Sequence, residues 1–215
     1  MNTGPMWGFY RVCVWIMNFV YLNILWMAFT LLGLVFFGFA PATVSLFAVV
    51  RKWIQGYTDV PIFKSFWRNY KKEFFKSNVI GLILSVFGYI LYVDFQLVLH
   101  SANSTIQQIT YLPLLLLILT YTLTLLYVFP VYVHYEVNIL QVLKNAFIIM
   151  IMRPLNTIML IAGTAVVYYV LRFVPGLIPF LSMSLWAYVM MWCSNLVFKR
   201  IEEKQEQVKS ESAAI

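Results

Sequence analysis

The sequence predicts an all-α, polytopic membrane bundle of about five transmembrane helices with a basic amphipathic segment on the cytoplasmic side. Three observations lead there. Only 11% of the 215 residues are charged and 62% are hydrophobic, against roughly 25% charged in a soluble domain. The charges are also clustered: residues 12–50, 77–93, 95–135, 154–171 and 173–198 contain no Asp, Glu, Lys or Arg. Most of these runs approach or exceed the roughly 20 apolar residues that cross about 30 Å of hydrocarbon. Such a composition excludes a soluble enzyme, a disordered chain, a disulfide-rich secreted domain and a nucleic-acid-binding domain.

The first span is expected within 12–39, with Trp7, Phe9, Tyr10 and Trp15 as an aromatic belt at its start. This run is longer than a signal-peptide core and continues into Pro41, so it reads as a retained span. Residues 41–55 are apolar for only ten positions before Arg51-Lys52-Trp53. Pro41 suits a helix start and Gly56 a helix stop. The segment therefore predicts a short helix lying on the membrane surface or dipping into it.

Asp59 and Pro61 then form a second start signal. Phe63, Phe66, Trp67, Tyr70 and Phe74 recur at helical spacing, with Lys64, Arg68, Lys71 and Lys72 on another face. That pattern predicts a basic amphipathic helix at an anionic surface. Further spans are expected at about 78–99, 112–133, 155–172 and 178–198, the last two as a hairpin through Pro175-Gly176. A polar loop should cover 100–111, a partly amphipathic segment 134–156, and a soluble tail 199–215. Residues 1–198 thus form one membrane domain. Gly81, Ser85 and Gly88 make a small-residue stripe that permits close helix packing.

With 40–77, 134–154 and the tail on one side, 13 of the 15 Lys and Arg residues share that side. The positive-inside rule makes it cytoplasmic. Five spans then place the N-terminus outside and the C-terminus inside. The net charge of +7 belongs with anionic lipid head groups, not nucleic acid.

Few residues suggest chemistry. Asp94, His134 and Glu136 fall near span ends, where head groups or water can reach them. Asn18 and Asn23 lie inside the first span and suit interhelical hydrogen bonds or the lining of a substrate path. The separated Cys13 and Cys193 read as small buried apolar residues. No metal-ligand spacing, nucleophile motif or phosphate loop stands out, so no catalytic residue and no cofactor is assigned. Arg51, Lys52, Trp53, Lys64, Trp67, Arg68, Lys71 and Lys72 form the expected docking segment for membrane lipids or a protein partner, being rich in residue types favoured as binding anchors.

Asn23-Ile24-Leu25-Trp26, then 41–56 (PATVSLFAVVRKWIQG), then Asp59-Val60-Pro61-Ile62-Phe63 and Phe66-Trp67-Arg68 resemble the YesL-like family of bacterial integral membrane proteins. The match is clearest over 15–80. Family members often carry Gly where this chain has Ala40. The resemblance implies an accessory protein of a carbohydrate uptake system of the ATP-binding-cassette type, with that system's permease subunits as partners. It carries over no catalytic residue. A transporter or substrate-capturing subunit, with a path lined by Asn18, Asn23 and Asp94, is the alternative.

Overall fold

A computed structural model describes the backbone of residues 5–100, 104–135 and 137–213, and the side chains of 10–100, 109–135 and 137–198. Seven α-helices account for most of it: α1 (Pro5–Leu32), α2 (Phe36–Ile54), α3 (Ile62–Leu99), α4 (Ser104–His134), α5 (Ile139–Met152), α6 (Pro154–Phe173) and α7 (Ile178–Ala213), with one 3-10 turn at Pro175–Leu177. Among the described residues there are no strands. Six helices are long and apolar enough to cross a membrane, α5 being too short. Their outward faces are apolar; Phe36 is 90% exposed and Phe173 89%. In water such faces would drive aggregation, whereas in lipid they meet hydrocarbon. The chain is a multi-pass helical membrane protein.

The expected single span over 12–39 is corrected: α1 stops at Leu32 and the chain reverses within three residues. Gly33 and Gly38 face each other across this turn, and a Cβ on either would meet the other strand of the turn's backbone. Leu34 and Val35 take positive φ, 56° and 64°, a conformation that β-branched residues rarely adopt. The new helix begins at Phe36, five residues earlier, so Pro41 lies within α2 and does not open it.

The second correction follows. Residues 41–55 do not lie on a surface. Residues 41–54 belong to α2, whose buried residues run almost without a break from Ala40 to Val50, and Gln55 caps it. α2 packs against α1, α3, α4 and α7 and is the centre of the bundle. Its 19 residues rise about 28 Å, which matches the hydrocarbon thickness. Small side chains at Ala40, Ala42, Thr43 and Ser45 let the neighbours approach. Between lipid-embedded helices, such close packing and hydrogen bonding replace the hydrophobic effect as the cohesive force.

The amphipathic helix and the second span are one helix. α3 has 38 residues and is about 57 Å long, so its first turns extend past a bilayer core. The aromatic face of 62–77 packs in part against α1 and is not wholly turned outward. Phe66 and Tyr70 are buried, and Phe29 of α1 packs on Phe66, Trp67 and Tyr70 with centroids 5.0–5.3 Å apart. The small-residue stripe is used on two sides. A Cβ at Gly81 would lie 3.1 Å from Ala40 Cβ of α2, and one at Gly88 would lie 3.0 Å from the Tyr121 hydroxyl of α4. That hydroxyl donates to the Leu84 carbonyl at 2.6 Å.

Neighbouring spans alternate in direction. Trp15, near the start of α1, packs on Trp53, near the end of α2 (5.7 Å), and on Tyr188 of α7 (6.3 Å). Lys52 of α2 meets Ser65 of α3, and Glu73 of α3 meets Tyr132 of α4. Phe198 of α7 stacks on His134 at the end of α4 (4.1 Å). The start of α1 and the ends of α2, α4 and the spanning part of α7 therefore gather at one end of the bundle; α3 meets that end through Ser65, and within two turns its Tyr70 reaches Phe29 and Gly33 at the end of α1. α1 starts and the spanning part of α7 ends at this same end of the bundle, where the expected five spans would put them at opposite ends. The difference is the one extra span, α2.

Candidate functional site: a basic cavity at the bundle end

Where α2, α3 and α4 meet at that end, they enclose a cavity of about 410 Å³. Arg51, Lys52 and Gln55 line it from α2, and Arg68, Asn69, Lys72, Glu73 and Lys76 from α3. Tyr132, Tyr135 and Asn138 close it from the end of α4 and the link to α5. Helical spacing explains the α3 wall: 68, 69, 72, 73 and 76 recur at three and four, so they share one face. Asn138 also caps α5, in a capping box with Gln141.

Most of the polar groups have defined roles. Arg51 Nη1 donates to the Val133 carbonyl at 2.6 Å, tying α2 to α4. Lys52 Nζ donates to Ser65 Oγ at 2.8 Å, tying α2 to α3. Tyr132 Oη donates to Glu73 Oε2 at 2.6 Å, and Lys72 Nζ is 3.6 Å from Glu73 Oε1. The lining holds five Lys and Arg side chains against this one carboxylate.

The expected docking residues divide between cavity, core and surface. Arg51, Lys52, Arg68 and Lys72 line the cavity. Trp53 is 4% exposed and packs on Trp15 and Phe19, so it is a core residue and not a binding anchor. Trp67 is 38% exposed, with Lys71 Nζ 4.3 Å above its ring, and Lys64 is exposed beside it. Tyr132 and Asn69 escaped the sequence reading. Tyr132 sat inside an uncharged run, and Asn69 was one polar residue among many cations.

The three intramembrane polar residues are dispersed. Asn23 is fully buried and committed to α7: Nδ2 donates to the Pro179 carbonyl at 2.8 Å, and Oδ1 accepts from the Met183 and Ser184 amides at 3.0 and 3.1 Å. Asn18 is half-buried on α1, and Asp94 is exposed 18 positions beyond Lys76 on α3. His134 stacks on Phe198; Glu136 and the side chains of Trp7 and Phe9 lie outside the described residues. Cys193 is buried and Cys13 half-buried, both as free thiols.

The fold and this cavity define a multi-pass helical membrane protein with one polar, strongly basic end. Residues 19–95 match the family described as "Protein of unknown function, DUF624". The chain is similar to three proteins of Bacillus subtilis (strain 168). It is 38% identical to the uncharacterized protein YteU over 202 residues, covering 94% of this chain and 90% of YteU. It is 40% identical to the uncharacterized protein YesV over 207 residues, covering 96% and 99%. With the uncharacterized protein YesL the identity is 34% over 203 residues, covering 94% and 95%. No solved structure matches. The chain belongs to the YesL-like, DUF624 family.

Proposed function

We propose that this protein is a non-enzymatic accessory or assembly subunit of a carbohydrate uptake system of the ATP-binding-cassette type. It sits in the cell membrane with its basic end, and both chain ends, in the cytoplasm. The family resemblance supplies the uptake system. The observation that supports docking is the exposed row of Lys64, Arg68, Lys71, Lys72 and Lys76 along the first turns of α3. Those turns are held rigid from behind by Phe29, Phe66 and Tyr70. A rigid, exposed cationic ridge suits an acidic partner surface, because charge complementarity steers association and selects the partner. Arg11 joins this end in the six-span arrangement, with Arg51, Lys52 and the five Lys and Arg residues from Lys64 to Lys76; four more lie in the tail, and Arg172 lies at the opposite turn. That distribution supports the cytoplasmic placement.

The test is co-purification of the tagged chain from native membranes in mild detergent. Permease subunits of a sugar uptake system should be recovered with it. Exchanging Lys64 and Lys71, which lie outside the cavity, for Gln should cut that recovery by about fivefold at low salt, in keeping with rim charges that act through steering. Recovery of the chain with no permease subunit contradicts the reading.

A further inference from the structure

The cavity shares Arg68, Lys72 and Lys76 with the exterior ridge, but its inner wall carries further donors. Its single lining carboxylate is already engaged by Tyr132 and Lys72. The Arg51 guanidinium is held in place through Nη1 and the Val133 carbonyl, yet its Nε–H is buried with no acceptor. Nδ2 of Asn69, one turn before Glu73 on α3, is a second buried donor without an acceptor. Leaving a buried donor unmet costs roughly 1–3 kcal/mol, and folded proteins keep few of them. Both belong to residues that line one cavity, among cations that outnumber carboxylates five to one.

Donors fixed in a cationic surround call for an anion with several acceptor oxygens. A guanidinium oriented by one of its own nitrogens presents the rest as a planar fork, the geometry that suits phosphate oxygens. We propose that this cavity is a binding site for a phosphate-bearing anion. Arg51 and Asn69 donate to its oxygens, and Arg68, Lys72 and Lys76 neutralise its charge from the rim. A soluble phosphate and a phospholipid head group share that chemistry. The proposal does not depend on the uptake partner.

The full-length protein, purified free of lipid in a maltoside detergent, tests it in two arms. Calorimetric titration with inorganic phosphate detects a soluble ligand. Native mass spectrometry after incubation with phosphatidylglycerol detects a retained lipid. Saturable binding in either arm, weakened about tenfold by Arg51→Gln, the scale of one lost charge-assisted bond, supports the proposal and identifies the source. Asn69→Leu keeps the charge and removes only the amide. It should weaken the same arm, and it stands in if Arg51→Gln does not fold. Binding in neither arm, or binding unchanged in Asn69→Leu, overturns the site.

Discussion

Gly38→Ala is expected to abolish the recovery of a monodisperse protein. A methyl group at this position would lie 2.7 Å from the Phe29 carbonyl oxygen and closer still to that of Thr30. Both obstacles are backbone atoms of α1 and cannot rotate aside, so the hairpin between α1 and α2 must open. Gly33 opposes Gly38 from the other arm, with the Tyr70 hydroxyl 2.9 Å from its virtual Cβ. Overpacking a tight contact costs about 1–3 kcal/mol where side chains can yield; here the cost should exceed about 3 kcal/mol, since none can. Gly176→Ala is the control, because nothing lies within 4 Å of its virtual Cβ. It should fall within about 0.5 kcal/mol of the parent. Size-exclusion profiles and thermal unfolding in one detergent compare the two. Equal behaviour would refute the close hairpin.

The second large effect is expected from Asn23→Leu. This side chain bridges one turn of α7, joining the Pro179 carbonyl and the Met183 amide that a regular helix pairs with each other directly. The Ser184 amide is held by the same oxygen. Leucine matches the volume but removes all three bonds that tie α1 to α7 here. Interhelical bonds in membranes contribute about 0.6–2 kcal/mol each, so losing three should cost about 2–4 kcal/mol. That corresponds to a fall in Tm of at least about 5 °C for a chain of this size. If Asn23 instead lined a substrate path, Asn23→Leu would leave Tm unchanged.

The lipid-embedded class was legible because charge-free runs are long and sharply bounded. Helices α3, α4, α6 and α7 each cover one of the expected spans, but α3 and α4 start earlier, at Ile62 and Ser104. The break after Leu32 was not legible. It falls in an uncharged stretch without proline, and its only marks are Gly33 and Gly38 among residues that read equally well as one helix. Leu34 and Val35 adopt positive φ against their own preference, so tertiary packing decides the turn. Pro41 misled for a related reason: its usual place is the first helical turn, but α2 starts five residues earlier. The basic clustering was visible, whereas its division was not. Periodicity alone does not separate Trp53, packed on Trp15, from Trp67, which remains partly exposed. The cavity needed Tyr132 and Asn138 from a distant part of the chain, and no local pattern brings them to α3.

An even number of crossings, with α2 as a central span, underlies the hairpin, the cavity and the placement of the basic end. Topology reporters fused separately to the two chain ends, and a third inserted between Gly56 and Pro61, measure this directly in intact cells. Six spans place all three on the cytoplasmic face. An N-terminal reporter outside, with the other two inside, would restore five crossings and contradict the account.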